Sequence, residues 1–138
     1  MNQEKIYKAG LYFKIYTLGV SIGFMFSPFI VALIMFITGE LIIWLIGGTF
    51  ILFFLGLKDL KKTISETVTS ITLAGDKLII SYFSLEKHIE KMDIEAVNNE
   101  GNAVIIQLKN GSKIWVSTFF LSRERQAQLC NILKKFIA

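Results

Sequence analysis

The chain holds one cysteine, one proline and one histidine, and from residue 15 to residue 57 its single charged side chain is Glu40. One cysteine excludes an internal disulfide and fits a reducing compartment. One histidine and one cysteine do not make a recognisable zinc site. Nucleophilic catalysis needs a nucleophile, a base and an orienting group, and no such set is legible. His88 sits on an alternating stretch beside Glu86 and Lys87 and reads as a surface side chain. Cys130 falls at the edge of an apolar helical face, where a thiol serves as a small hydrophobe. Glu86, Glu90, Asp93 and Glu95 lie close together but interleave with lysines, the pattern of a solvated face. Gly75, Gly101 and Gly111 occupy three separate turns, so none belongs to a phosphate-cradling loop. The long apolar stretches lack a charge, which leaves no proton relay or ion path and argues against a transporter. The expectation is a protein without catalysis, metal or cofactor.

What is present is apolar length. Of the 138 residues 53% are hydrophobic, and the mean hydropathy is +0.54, values of a small membrane protein rather than a soluble enzyme. As a helix, residues 15–37 extend about 34 Å, enough for a hydrocarbon core of roughly 30 Å. Residues 41–57 extend about 26 Å, at the short edge of the range, and Lys58 can gain reach by snorkelling. Between them stand Thr38, Gly39 and Glu40, too few for an external domain. The sequence thus predicts a transmembrane helical hairpin. The first stretch is too long for a removable signal peptide, and a second follows at once.

Charge sets the expected orientation. Lys5, Lys8 and Lys14 flank the first span, Lys58, Lys61 and Lys62 flank the second, and the turn carries no Lys or Arg. The positive-inside rule places both termini in the cytoplasm. Tyr7, Tyr12, Phe13 and Tyr16 suit the cytoplasmic interface, and Trp44 the outer one. Lys58, Lys61 and Lys62 are candidate contacts for anionic lipid headgroups, at about 1 kcal/mol each. Gly19, Gly23 and Ser27 recur every fourth residue and share one helical face, a surface that permits close helix approach in lipid. This face has two readings: packing against the second span, where Gly47, Gly48 and Gly56 offer smooth surface, or contact with another protein or a second copy. Pro28 is expected to kink the span.

The remainder reads as strands followed by one helix. Residues 63–73 are rich in Thr, Val and Ile, and Ala74-Gly75-Asp76 turns the chain into an alternating stretch at 77–83. Alternation continues over 85–91, and 94–97 leads to a turn at Asn98-Asn99-Glu100-Gly101-Asn102. Residues 103–108 form a strongly apolar strand, paired through Asn110-Gly111 with 113–117. Ser122 stands in N-cap position before an amphipathic helix whose Leu129, Ile132, Leu133, Phe136 and Ile137 follow helical spacing. That helix is expected to close the mouth of a curved sheet, with the membrane surface as the second apolar surface it could cover. From residue 58 onward, twelve basic and nine acidic side chains intermingle, a solvated surface rather than a nucleic-acid stripe.

Six short strands and one closing helix after a transmembrane hairpin resemble the bacterial pleckstrin-homology-like membrane proteins. The likeness lies in "ITLAGDKLIISYF", "KHIEKMDIEAV", "VIIQLKNGSKIWV" and "LSRERQAQLCNILKKF", and it covers residues 63–138. It implies an antiparallel sheet or partly open barrel capped by the C-terminal helix, acting as a binding module. The pleckstrin-homology pattern has seven strands, and the start of 63–73 is one candidate for the missing one. Phosphoinositide-binding members of the wider superfamily gather basic residues at the first strand turn. Here that turn carries Asp76 and a single Lys77, which argues against specific inositol-phosphate reading.

The expected organisation is therefore a membrane hairpin with its N-terminal segment at 1–62 and a mainly-β cytoplasmic domain at 63–138. Trp115 lies opposite the Ile114 and Val116 face of its strand and has two readings, an anchor for a protein partner or a side chain buried beneath a neighbouring helix or loop. Phe119, Phe120 and Leu121 read first as core, and second as an exposed apolar patch for a partner or the bilayer. The leading reading is a membrane-anchored scaffold that recruits a protein at the inner membrane face. An accessory subunit recognised through Gly19, Gly23 and Ser27 is the second, and a holin-type pore-former the third.

Overall fold

The computed structural model describes residues 3–39 and 43–138, with residues 43–45 described by their backbone. The expectations for Glu40, Leu41 and the Trp44 side chain lie outside the described residues. The chain divides into two compact units, one of Leu11–Ile64 and one that joins Met1–Gly10 to Ser65–Ala138.

The first unit is a helix pair. Helix α1 runs Leu11–Ile37 and α2 runs Ile43–Glu66. Among the described residues α1 is the one helix long and apolar enough to cross a membrane, and 11% of its most apolar window is buried within the protein. Helix α2 continues past its apolar stretch through Lys58, Asp59, Lys61, Lys62 and Glu66, so 63–66, expected from composition to begin a strand, are helical. Their β-branched content is overridden because the helix is already propagating, and each added residue then costs little.

Contacts run in antiparallel order. Phe29 meets Phe53 edge-on at 5.2 Å, and Ser21 donates to the Asp59 carboxylate at 3.1 Å. The Ser21 hydroxyl also lies 2.9 Å from that of Thr63. At Gly56 a Cβ would stand 2.6 Å from Met25 Cα, so the helices touch where Gly56 has no side chain. Gly19, Gly23, Gly47 and Gly48 have nothing within 4 Å of that position. The smooth face of α1 is therefore not its packing face, which runs instead through Ser21, Met25 and Pro28. Ser27 acts within its own helix. Its hydroxyl donates to the Phe24 carbonyl at 3.0 Å, the acceptor that Pro28, lacking an N–H, leaves free. Helix α1 ends as Gly39 takes φ +76, a conformation suited to glycine just beyond a helix C-terminus.

Among the described residues the second unit has seven strands in two antiparallel sheets. Strands β1 (Gln3–Lys8), β2 (Ser70–Ala74), β3 (Lys77–Ser81) and β4 (Glu86–Glu90) form one sheet in that order. Strands β5 (Ile94–Glu100), β6 (Ala103–Leu108) and β7 (Lys113–Ser117) form the other. A single 3-10 turn at Lys91–Asp93 joins them, and α3 (Arg123–Ile137) follows. The seventh strand is thus not at the start of 63–73. It is the N-terminal segment, which the sequence groups with the hairpin, and it pairs with β2 from Gln3↔Ala74 to Lys8↔Ser70.

Alternation sorts the strands as pleating requires. Ile71, Leu78, Ile80, Val104, Ile106 and Val116 are fully enclosed. Asn98, Asn99 and Glu100 remain in β5, paired with Ile105, Val104 and Ala103, so the turn is shorter than the sequence suggests and centres on Gly101 at φ +55. The β6–β7 connection also differs from a two-residue Asn-Gly turn. The described non-glycine residues have no positive φ, and the Asn110 side chain accepts from the Ser112 N–H at 2.9 Å, an Asx-type loop.

Helix α3 begins as expected, with the Ser122 hydroxyl accepting from Arg125 N–H at 3.3 Å. It buries Gln126, Leu129, Cys130 and Leu133, a stripe turned away from Ile132, which stays exposed.

Candidate functional site

Candidate surfaces on the β unit follow from its register. Lys8, Ser70, Ser81 and Glu86 are matched across β1–β4 and mark one end of that sheet. From this end the chain leaves for α1 through residues 9 and 10 and returns from α2 through residues 67–69. The Ala9 N–H donates to the Thr69 carbonyl at 2.7 Å, which holds the two links together. The second sheet adjoins this end because the Tyr7 hydroxyl donates to the Ser117 carbonyl at 3.2 Å. Burial pushes the Tyr7 phenol above its usual value of 10.0. The Tyr82 phenol is raised too, by burial and then by the charge of Glu66.

Trp115 stands on β7 between buried Ile114 and Val116 and is 54% exposed. It pairs with Ile105 of β6, so both lie on the same face of that sheet, and Ile105 is buried there. Phe119 and Phe120 are not core residues, being 63% and 51% exposed. Leu121 N–H closes a turn by donating to the Thr118 carbonyl at 2.9 Å, which puts both phenylalanines at the turn's tip, ring against ring at 5.2 Å. Beside this turn a cleft of ≈ 230 Å³ is lined by Ile6, Tyr7, Lys8, Leu121, Arg125 and Ile132, among others.

The opposite end carries a larger cleft of ≈ 540 Å³ between Asp76, Lys77, Glu90, Lys91, Lys109 and Ile137, among others. Its three lysines face two carboxylates, and Lys91 Nζ lies 6.0 Å from the Phe136 ring. His88 is exposed on edge strand β4, and Cys130 is buried on the inner face of α3. Among the described residues no group of three or more His, Cys, Asp or Glu side chains is placed to hold a metal ion. Lys58, Lys61 and Lys62 are exposed on α2, and Gly19, Gly23 and Ser27 are exposed on α1.

One polar feature has no counterpart among the expectations from sequence. Gln126 is buried and donates to the Asn99 side chain and, at 2.8 Å, to the Gly101 carbonyl, tying α3 to the β5–β6 turn. A glutamine three residues past a capped helix start gives no local sign of this, because its partners lie more than twenty residues away.

Residues 65–130 match the family model described as "BapA, prefix-like domain". The match covers the last two residues of α2, β2 to β7 and the first half of α3, and leaves β1, α1 and the rest of α2 outside it. No curated protein matches the chain, and no solved structure does.

Proposed function

We propose that the chain is a membrane-anchored binding module, with α1 and α2 crossing the inner membrane as a hairpin and the β unit recruiting a protein partner at its cytoplasmic face. The observation that carries this reading is the apolar helix α1, 11% buried in its most apolar window, joined to a folded β unit by two residues at 9–10. An exposed apolar surface of that length is stable in lipid and costly in water. The lysines before α1 and late in α2, with none at the described part of the turn, favour both termini on the cytoplasmic side. Sheets of four and three strands closed by a C-terminal helix support a pleckstrin-homology-like fold for the β unit. On such a unit Trp115 is the candidate anchor, since exposed tryptophans next to buried apolar neighbours are favoured centres of binding energy. Lys58, Lys61 and Lys62 add attraction to anionic headgroups.

A second reading has its own observation. Gly19 and Gly23 meet nothing within 4 Å, so the smooth face of α1 is open to a helix of another protein, and the chain then acts as an accessory subunit. Deleting 63–138 would not separate the two readings, because β1 would be left without its sheet. Substitution does. The full chain is purified from its membrane in mild detergent as wild type, Trp115→Ala and Gly23→Leu. Loss of a stoichiometric partner with Trp115→Ala alone supports the binding module, and loss with Gly23→Leu alone supports the accessory subunit. A ring of the chain itself, with lipid and no partner, supports the pore-former instead.

A further inference from the structure

We infer that the tethered end of the β unit is itself a lipid-contacting surface, with the Phe119–Phe120 turn seated in the headgroup region of the same bilayer that α1 crosses. The inference rests on the membrane-anchor reading and adds to it the orientation of the β unit against lipid.

Turn composition carries the first step. Turn tips ordinarily hold Gly, Pro, Asn, Asp or Ser, which satisfy turn geometry and water together. At the end of the unit where the chain leaves for α1, the Glu100-Gly101-Asn102 turn keeps that habit and two others break it. The 118–121 turn presents Phe119 and Phe120, both more than half exposed. The 82–85 turn, closed by Tyr82 N–H to the Leu85 carbonyl at 2.8 Å, presents Phe83 half-buried and Leu85 exposed. The opposite end is polar at Gly75-Asp76 and at Lys109-Asn110-Gly111-Ser112, with Met92 its one large exposed apolar side chain.

Reach carries the second step. Two residues link β1 to α1, so three peptide steps separate Lys8 from Leu11 and extend no further than about 10 Å. Lys8 therefore stays within that reach of the first residue of α1. Ser117 and Leu121, which flank the two phenylalanines, are held beside Tyr7 and Lys8 of that same strand.

Composition selects the occupant. Lys8 and Arg125 line the cleft beside the turn and Arg123 opens α3 next to it, while Glu86, Glu100 and Glu124 stand at the same end, so the charge there is mixed. Exposed aromatic rings with basic side chains beside them suit the bilayer interface, where rings sit at headgroup depth.

The experiment uses the full chain in vesicles of phosphatidylcholine and phosphatidylglycerol. Cys130→Ala removes the native thiol, and an environment-sensitive fluorophore is placed at Phe119→Cys or at Met92→Cys. Expected is strong quenching by nitroxide lipid and weak quenching by aqueous iodide at 119, and the reverse at 92. Equal iodide quenching at both positions overturns the inference, as does shielding of 119 from both quenchers, which marks a protein or a second copy on the turn. Phe119→Trp, with Trp44 and Trp115 changed to Phe and read by brominated lipid, gives the same answer with Cys130 intact. Carbonate extraction separates the premise. A chain that stays in the membrane but shows no lipid quenching at 119 overturns only this inference. A chain released by carbonate overturns the anchor as well.

Discussion

Single residues decide how closely the elements of this protein approach one another. Gly56 is the clearest case, because any Cβ there would stand 2.6 Å from Met25 Cα. We expect Gly56→Ala to lower the stability of the helix pair by about 1–3 kcal/mol, the usual cost of overpacking, in a detergent-unfolding titration. Gly23→Ala should leave that titration unchanged, since nothing lies within 4 Å of the added methyl. Gln126 plays the matching part in the β unit. Gln126→Leu leaves the Gly101 carbonyl and the Asn99 side chain without their donor, and a loss of about 1–3 kcal/mol is expected in chemical denaturation. Tyr7 adds a pH dependence whose sign follows from burial. Its folded-state pKa lies above the ordinary 10.0, so the unfolded chain releases the phenol proton first. The contribution is complete below the unfolded value and is lost as pH rises from there toward the raised folded value. Tyr7→Phe should therefore flatten the fall in stability between about pH 9 and about pH 11, at the cost of the hydrogen bond to Ser117.

At the scale of elements the informative one is β1. It enters the sheet as an edge strand against β2, far away in sequence, with the helix pair between them. Removing residues 3–8 takes Tyr7 from the core and leaves the β2 edge unpaired. Amide hydrogen exchange of Ile71 and Leu73 is expected to accelerate toward that of exposed loops, while the amides of β6 change less. Much of the remaining architecture was legible. Strands β3, β4, β6 and β7 and helix α3 announce themselves by period, because a pleated strand and an amphipathic helix sort side chains locally. Strand β1 was not, since QEKIYK offers only Ile6 and Tyr7 as apolar residues and its partner is far along the chain. The burial stripe of α3 was legible in spacing but not in rotation. Leu129 and Leu133 are buried as their spacing predicts, yet Gln126 and Cys130 take the place that Ile132 would have filled.

For the whole molecule the proposed reading divides labour between the units, one holding the chain in the bilayer and the other presenting Trp115. Trp115→Ala should reduce partner capture by about 2 kcal/mol or more if the indole is the central anchor, with thermal unfolding of the β unit unchanged because the side chain is 54% exposed. Strand alternation put Trp115 on the face opposite Ile114 and Val116, but whether a neighbouring element covers it was not readable. Nor was the exposure of Phe119 and Phe120, because a turn has no periodicity and only the hydrogen bond from Leu121 to Thr118 puts both rings at its tip.

By itself the sequence determined the apolar run, the alternating strands and the capped C-terminal helix, since each depends on neighbours within a few residues. The tertiary structure alone decided that residues 3–8 complete the sheet, that α1 packs through Ser21, Met25 and Pro28 rather than its glycines, and that two apolar turns lie at the end from which the chain leaves for α1. These outcomes depend on which distant segments meet, and a pairing across the length of a helical hairpin is set by closure of the core, which no local propensity encodes.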